Sequence, residues 1–453
     1  MSNKVNILFS SFPDFSGNPK AFYEFLNKKY KDKFNLTWVI YNDNLLPILK
    51  ENGINCVLFK SNEYIDLINK INIIFDTHGA LFSEKNINQI YINQWHGFGP
   101  KKIGYFLDNL SSQDIDYLSE AQNKTDFIIV PSEFSRLIFA ASFNVNINRT
   151  IPIGFCRDEY ILNSDGKFNL QKLTNKNIYD YKKIIFFLPT FRNGLNRNDS
   201  KNIFSSNLLN LEKYDEKQLT KFLEEEKYLL VIKKHPSEED AVSSINHPNI
   251  LVLNDSVMSK ELITIHEIIN AADLLISDYS SIYVEYLLLD RPVLFLQKDI
   301  DDYLSKRGIV LNNRDIWFPG PMANNLQELI TNIGNLLYKT DYFFDERNRF
   351  KKLMLSNNTH ICQSLFDFLF DSTKFSLKHK PYVSKEEQLK IDLNNRQNQI
   401  YALNSKVDNL ATQNKQLKDE MKLIYNSKSW KLFQVFQNAK SKLNFKQKNS
   451  ISI

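Results

Sequence analysis

Short apolar runs alternate with helical stretches along the first 370 residues of the chain. A helix is predicted near residues 22–30, and apolar runs occupy residues 4–9, 35–41, 54–59, 71–76, 89–95 and 125–132. The same rhythm begins again after a polar stretch, with runs at residues 181–190, 227–235, 249–255, 273–276 and 291–296. Strands that alternate with helices are typical of doubly wound parallel sheets. The pattern therefore predicts an α/β protein with two such domains, residues 1–155 and 156–370, and a ligand cleft between them.

The pattern changes near residue 371. Residues 371–388 are polar and lysine-rich, which is typical of a linker. Beyond them, apolar residues from Leu389 to Ile424 recur at alternating steps of three and four over about five heptads. This spacing predicts a helical coiled coil over residues 389–425, and hence a homodimer. The alternative is a single helix that packs back on its own chain.

The last segment, residues 426–453, is a basic aromatic tail. Residues 427–453 contain six lysines and no acidic residue, with Trp430 and Phe433 among them. Such a segment suits an anionic membrane surface, and a solvated tail is the alternative. The first apolar run is too short for a signal peptide, and no stretch reaches the roughly 18 apolar residues of a membrane span. We therefore expect a cytoplasmic protein, peripheral on the inner face of the plasma membrane.

Composition narrows the class of protein. The 453 residues are 43% hydrophobic and 24% charged, a globular mix that excludes wholesale disorder. The net charge of +5 is too small for a dedicated nucleic-acid binder, so no nucleic-acid partner is expected. The three cysteines lie far apart without metal-ligand spacing, which indicates buried free thiols in a reducing compartment.

Two histidines follow predicted strands of the first domain. His96 lies in the motif at residues 93–104, ahead of two glycines and two lysines, where backbone and positive charge can approach a ligand closely. A structural histidine is the alternative interpretation. His78 follows the apolar run at residues 71–76, and its functional interpretation is that it lines the cleft. The other histidines have no motif around them.

Two motifs of the second domain carry positive charge at strand ends. Arg192 closes the motif at residues 188–192, and an arginine there can form paired hydrogen bonds with phosphate oxygens. Lys233 and His235 are two residues apart on an extended segment, so both point to the same side and can meet one anion. A surface ion pair is the alternative for Arg192.

A fourth motif, residues 277–281, places Ser280 and Ser281 at the start of a helix, where they either bind an anion or simply cap the helix. The four motifs together suit a diphosphate. Neither a P-loop nor a G-x-G-x-x-G is present in the sequence, which disfavours kinases and NAD enzymes. The carboxylates do not cluster with metal-ligand spacing, so no metal site is predicted, and a requirement for Mg²⁺ stays open.

In this order, the motifs resemble those of the CDP-glycerol glycerophosphotransferase family of teichoic-acid polymerases and primases. The segments that carry the resemblance are residues 17–21, 95–97, 101–104, 154–158, 189–192, 233–236, 277–281 and 291–292. The resemblance implies a GT-B-like architecture, with two Rossmann-like domains and the active site between them. It also implies transfer of a polyol phosphate, above all glycerol phosphate, from a CDP-activated donor to an acceptor hydroxyl, with release of CMP. The expected acceptor is lipid-linked or an oligosaccharide, in cell-wall teichoic-acid or capsule synthesis.

The resemblance also implies roles for individual residues. His96 matches the family's catalytic base, and His235 is the second catalytic candidate, at the diphosphate. The donor-binding candidates are Trp95, Gly97, Arg157, Thr190, Arg192, Lys233, Ser280, Ser281 and Glu285. Residues 98–100 read Phe-Gly-Pro where the family has Thr-Pro-Leu, and Cys156 replaces a proline. These departures bear on which polyol and which acceptor the protein uses more than on the class of reaction.

Two other functions compete with this one. The first is a GT-B glycosyltransferase that uses a nucleotide sugar, which would release a nucleoside diphosphate rather than CMP. The second is a non-catalytic coiled-coil scaffold whose catalytic part has decayed. The presence of His96, Lys233 and His235 together argues against decay, since drift has no reason to spare all of them.

Overall fold

The computed structural model describes residues 4–190, 208–209, 211, 213–233, 246–311, 314–338 and 341–384, and residues 413, 415, 416 and 418. The contacts divide the chain into two units, Met1–Tyr382 and Val383–Ile453. The predicted coiled coil (389–425) lies outside the described residues apart from those four, and the basic aromatic tail (426–453) lies outside them entirely. Both features, and the homodimer that rests on the coiled coil, stay predictions.

A seven-stranded parallel sheet forms the first half of the larger unit. Its strands are rich in Ile, Val and Phe and are mostly buried, as a parallel sheet covered by helices requires. The strand order is β3-β2-β1-β4-β5-β6-β7. The strands are β1 (Val5–Phe9), β2 (Phe34–Ile40), β3 (Cys56–Leu58), β4 (Ile73–Asp76), β5 (Ile90–Asn93), β6 (Phe127–Ile129) and β7 (Thr150–Ile151).

Helices follow most of these strands, and side-chain caps mark where several begin. The hydroxyl of Ser111 accepts from the backbone N–H of Asp114, whose carboxylate accepts from the Ser111 N–H in return, a capping box that starts α4. Ser132 and Ser135 start α5 in the same way. The helices are α1 (Gly17–Tyr30), α2 (Leu45–Glu51), α3 (Asn62–Ile68), α4 (Ser112–Lys124) and α5 (Glu133–Ser142).

A second parallel sheet, of five strands, forms the other half. Its order is β10-β9-β8-β11-β12, which repeats the order of the first five strands of the other sheet. The strands are β8 (Lys183–Leu188), β9 (Tyr228–Lys233), β10 (Ile250–Leu253), β11 (Leu274–Ser277) and β12 (Val293–Phe295). The predicted α/β class with parallel sheets is confirmed. Each sheet reverses its strand order beside its first strand, between β1 and β4 and between β8 and β11, where such folds bind ligands.

The helices from residue 158 onward connect the two halves and surround the second sheet. The helix α8 begins at a side-chain cap, since the Asp215 carboxylate accepts from the N–H groups of Lys217 and Gln218. The helices are α6 (Asp158–Asn163), α7 (Gly166–Lys172), α8 (Glu216–Glu226), α9 (Asp255–Lys260), α10 (Ile282–Tyr286), α11 (Ile300–Arg307), α12 (Arg314–Trp317), α13 (Leu326–Tyr338), α14 (Phe344–Met354) and α15 (Ile361–Leu369).

The chain returns to the first half at its last helix. Leu365 and Phe366 of α15 are buried in the hydrophobic core of the first sheet, and the Phe366 ring stacks on Tyr30 at a centroid distance of 4.4 Å. A short antiparallel hairpin, β13 (Phe370–Asp371) and β14 (Ser376–Leu377), follows. Residues from both ends of the larger unit therefore build the first core.

Two further observations concern the cysteines and the length of the helices. The three cysteines are buried and unpaired, as predicted. Among the described residues, no helix combines the length and the apolar character that a membrane span requires.

Candidate active site

A cavity of about 420 Å³ lies between the two halves. The first half contributes the loop at residues 12–17 after β1, and it also contributes His78 and His96, which follow β4 and β5. The second half contributes Lys233, at the end of β9, and residues from 255 to 266. The cavity therefore lies at the carboxyl ends of the strands, where the two-domain pattern predicted it.

Two buried aspartates organise the loops at this edge, one in each half. The Asp76 carboxylate accepts from the N–H groups of Thr77 and His78, from the Leu81 N–H at 3.0 Å and from the Tyr91 hydroxyl at 2.7 Å. Because β4 ends at this residue, the carboxylate fixes the loop that carries His78.

Asp278 does the same after β11. Its carboxylate accepts from the backbone N–H and the hydroxyl of Thr190, at 2.8 and 2.7 Å, and from the N–H groups of Tyr279 and Ser280. The carboxylate thereby draws together the ends of β8 and β11, and with them two donor-binding candidates, Thr190 and Ser280. Sequence reasoning gave neither aspartate a role, although each stands where an apolar run ends before a hydroxyl residue.

The loop that carries His96 is held by α1. The Asn18 amide donates to the carbonyl oxygens of Gln94 and Trp95, at 2.7 and 3.0 Å. Trp95 has a φ of +43°, and its N–H donates to the Asn93 side chain at 2.8 Å. These contacts turn the chain sharply after β5 and direct the next residue into the cleft.

The glycines of this loop allow it to contact the second half. Gly97 has a φ of +142°, and a Cβ at this position would lie 2.6 Å from the Ser281 hydroxyl oxygen. A Cβ on Gly99 would lie 3.0 Å from the Ser281 Cβ. The two halves therefore meet where the candidate motifs at residues 93–104 and 277–281 adjoin, and only glycine permits this approach.

The His96 ring is packed between two other rings. It stacks on Trp95 at a centroid distance of 4.4 Å and on His78 at 4.0 Å, the latter with an angle of 9° between the planes. Its Nδ1 lies 3.4 Å from the Thr77 carbonyl oxygen. A carbonyl can only accept, so this long contact favours the neutral ring with its proton on Nδ1 and its lone pair on Nε2.

The surroundings of His96 favour that neutral form. Desolvation by the walls of the cleft lowers the pKa of His96, and the neighbouring His78 lowers it further. The hydrogen bond to Thr77 opposes the shift, while Arg157 and Lys101 add to it. The side chain nevertheless remains accessible from the cleft. An accessible neutral imidazole is suited to accept a proton.

Arg157 and Glu285 form a buried ion pair between the halves. Arg157 Nε lies 2.9 Å from Glu285 Oε2, and the guanidinium also donates to the His96 carbonyl oxygen at 3.0 Å. Burial alone would raise the pKa of Glu285, but Arg157 and His266 outweigh burial and lower that pKa. Among the described contacts, these two donor-binding candidates are thus engaged with each other, although Arg157 also lines the cavity.

His266 is a cleft residue that sequence reasoning missed. It lines the cavity and is 7% exposed, and its Nε2 lies 3.1 Å from Glu285 Oε2. Burial and the nearby Arg157 lower the pKa of His266. No local pattern marks this residue, because its position depends on the packing of residues 255–266 against the first half.

The remaining candidates divide into three groups. Lys233 lines the cavity, and its Nζ forms an ion pair with Asp255 at 2.7 Å. Trp95 instead faces a smaller cavity of about 220 Å³ within the first half, which His78 also lines. Two candidates lie outside the described residues: Arg192 and His235. Within the part of the chain that the structure describes, no group of three His, Cys, Asp or Glu residues is arranged to hold a metal ion.

The chain is similar to known proteins over most of its length. The model of the family described as "CDP-Glycerol:Poly(glycerophosphate) glycerophosphotransferase" matches residues 1–360. The teichoic acid glycerol-phosphate primase of Bacillus subtilis is 28% identical over 349 residues, which are 73% of this chain and 83% of the relative. The teichoic acid poly(glycerol phosphate) polymerase of Staphylococcus epidermidis is 26% identical over 75% of this chain and 47% of its own length.

Further relatives define how far the similarity extends. The teichoic acid poly(ribitol-phosphate) polymerase of Bacillus spizizenii is 29% identical over 76% of this chain and 54% of its own length. The chain thus spans about half the length of these two polymerases. The solved structure of the wall teichoic acid polymerase TagF shares the fold, with a TM-score of 0.65 at 24% identity over 80% of this chain and 87% of that chain. A TagF variant soaked with CDPG has a TM-score of 0.64 at 22% identity, over 80% of this chain and 87% of that chain.

The ion pair between the halves leads to a prediction about stability. Arg157→Met should lower the free energy of unfolding by about 3–5 kcal/mol, because the Glu285 carboxylate would stay buried without its partner. The double variant Arg157→Met, Glu285→Gln removes both charges and should recover part of that loss. Urea unfolding followed by circular dichroism measures both variants. If the single variant were as stable as the wild type, the pair would not hold the halves together.

Proposed function

Since the chain belongs to the CDP-glycerol:poly(glycerophosphate) glycerophosphotransferase family, we propose that it transfers a polyol phosphate from a CDP-activated donor to an acceptor hydroxyl and releases CMP. Glycerol phosphate is the proposed polyol phosphate, and teichoic-acid or capsule polymer synthesis is the proposed process. The observation that carries the proposal is the cleft itself. An accessible neutral His96 lies on one side of it and Lys233 on the other.

In the proposed reaction, the acceptor hydroxyl attacks the β-phosphorus of the donor. The new P–O bond forms as the bond from that phosphorus to the CMP oxygen breaks, and CMP leaves with the bonding pair. His96 Nε2 accepts the hydroxyl proton, which makes the oxygen a better nucleophile. General-base catalysis of this kind contributes about 10²–10⁴-fold.

The second half supplies the proposed donor side. Lys233 lines the cleft in an ion pair with Asp255, and cationic groups stabilise the charge that develops on a transferring phosphoryl group. Ser280 and Ser281 follow β11 and offer hydroxyl groups to the proposed diphosphate, while the Thr190 hydroxyl donates to Asp278 and holds the end of β8 beside them. Because of their sequence motifs, Arg192 and His235 are also included among the proposed donor-binding residues. Arg157 and Glu285 join them through the ion pair that holds the His96 loop.

The first test is a donor screen with the purified full-length protein. CDP-glycerol, CDP-ribitol and nucleotide sugars are incubated with and without Mg²⁺, and the released nucleotide is identified by mass spectrometry. We expect CMP, whereas a nucleotide-sugar glycosyltransferase would release a nucleoside diphosphate. His96→Ala should lower the rate about 100-fold or more, while His360→Ala, at an exposed position, serves as the matched control. Retention of more than about a tenth of the wild-type rate by the His96 variant would exclude His96 as the base.

The pH dependence of activity follows from the direction of the His96 shift. Only the neutral ring accepts a proton, and its lowered pKa keeps it neutral below the ordinary value of 6.5. Activity should therefore persist as the pH falls through 6.5 and be lost only at more acidic pH. A profile of kcat/KM measures this, with circular dichroism at each pH to confirm folding. A half-maximal rate at or above pH 6.5 would contradict a depressed pKa.

The acceptor and the assembly are a finer part of the proposal. We propose a lipid-linked or oligosaccharide acceptor, a homodimer formed through residues 389–425, and contact with the cytoplasmic membrane surface through residues 426–453. The heptads and the six lysines support these features. Two tails on one dimer would raise the avidity of a weak surface contact.

Deletion of residues 385–453 tests that assembly. The truncated protein should be a monomer that still releases CMP with a soluble acceptor but no longer sediments with anionic vesicles. Light scattering and vesicle sedimentation measure the two properties, and neutral vesicles are the control. If the full-length protein were monomeric and indifferent to anionic vesicles, the dimer and the membrane contact would both be wrong.

A further inference from the structure

His78 is fixed from several directions. Its N–H donates to the Asp76 carboxylate at 3.2 Å, and its carbonyl oxygen accepts from the Tyr117 hydroxyl at 3.1 Å. Its Nδ1 lies 2.7 Å from the Thr77 hydroxyl oxygen. Both the backbone and the ring of His78 are therefore held in place from within the first half of the molecule.

The His78 ring completes a stack of aromatic rings beside the cleft. The Phe12 ring meets His78 edge-on at a centroid distance of 5.8 Å, and His78 then stacks on His96. Beyond His96 lies Trp95, whose ring meets Phe143 edge-on at a centroid distance of 4.9 Å. The His96 ring thus has a neighbour on each face.

Hydrogen bonding alone does not fix the His96 ring. The contact from Nδ1 to the Thr77 carbonyl oxygen is 3.4 Å long, beyond the usual range for such a bond. Among the described residues, Nε2 has no hydrogen-bond partner. A half-turn of the ring about the Cβ–Cγ bond would put Cε1 in the place of Nε2 and Cδ2 in the place of Nδ1, and so take the basic lone pair away from its position in the cleft. The His78 ring, at 9° to the plane of His96, and the Trp95 ring, at 30°, oppose that rotation, because the turning ring would collide with them.

We propose that His78 is a positioning residue, which holds the His96 ring between itself and Trp95 so that Nε2 stays directed at the acceptor hydroxyl. This inference rests on the proposed function, in which His96 accepts the proton. In this proposal His78 acts through the shape of its ring and not through proton transfer. A ring without nitrogen atoms should therefore serve nearly as well as imidazole.

Steady-state kinetics with CDP-glycerol separate shape from chemistry. His78→Ala, and His78→Gln as a variant that fills more of the volume without a ring, should each lower kcat about tenfold or more, because small misplacements of a reacting group are costly. The KM for the donor should change less than about twofold, since donor binding is assigned to the second half. His78→Phe should restore kcat to within about threefold of the wild type. His360→Phe, at an exposed position, is the matched control.

Three kinetic outcomes would overturn the proposal. An unchanged kcat in His78→Ala and His78→Gln would show that the ring is not needed. A rise in donor KM without a fall in kcat would make His78 a binding residue. A His78→Phe variant as slow as His78→Ala would show that the ring nitrogens act in the chemistry.

A second measurement does not depend on transfer. In protein with ¹⁵N-labelled histidine, long-range ¹H–¹⁵N spectra report which ring nitrogen carries the proton, and loss of a signal in His96→Gln assigns His96. We expect a single form protonated at Nδ1 in the wild type and in His78→Phe, and a mixture of forms in His78→Ala. An unchanged His96 signal in His78→Ala would overturn the proposal. If the wild type released no CMP, the proposed function would fail, while this spectrum would still decide the role of His78.

Discussion

The geometry of the cleft depends on the buried ion pair between Arg157 and Glu285. Arg157 lies between the two sheets in the sequence, and Glu285 belongs to the second half. The same guanidinium donates to the carbonyl of His96 in the first half. Loss of either partner would leave the other charge buried and unpaired, which costs several kcal/mol. The loop of the candidate base is therefore stabilised by a contact that neither half can make alone.

Much of the fold was predictable, because the buried strands of a parallel sheet are short apolar runs, which are visible in the sequence. The runs at residues 181–190 and 227–235 became β8 and β9. The place of α15 was not predictable in the same way. Its apolar face shows that the helix is buried, but periodicity does not identify the core that receives it. Only the folded chain shows that Phe366 returns to Tyr30 in the first half.

The candidate site was predictable where local motifs carry the chemistry. His96 and Lys233 line the cavity, as residues at strand ends should. Asp76, His78 and His266 make tertiary contacts instead, such as a hydrogen bond from the next strand or a ring stacked on another ring. Contacts of this kind join separate elements of the fold and leave no fixed spacing to detect. Sequence reasoning therefore found the candidate base and the lysine of the cleft better than it found the groups that hold them.

The stack around His96 and the positive charge nearby act on that residue in the same direction. Desolvation and the neighbouring His78, Arg157 and Lys101 all favour the neutral ring. A donor diphosphate bound as proposed would bring negative charge, which favours the protonated form and raises the pKa again. A base works best when its pKa lies near the working pH. On the proposed function, donor binding would thus move His96 toward the range in which it removes a proton most effectively, and only when a substrate is present to be attacked.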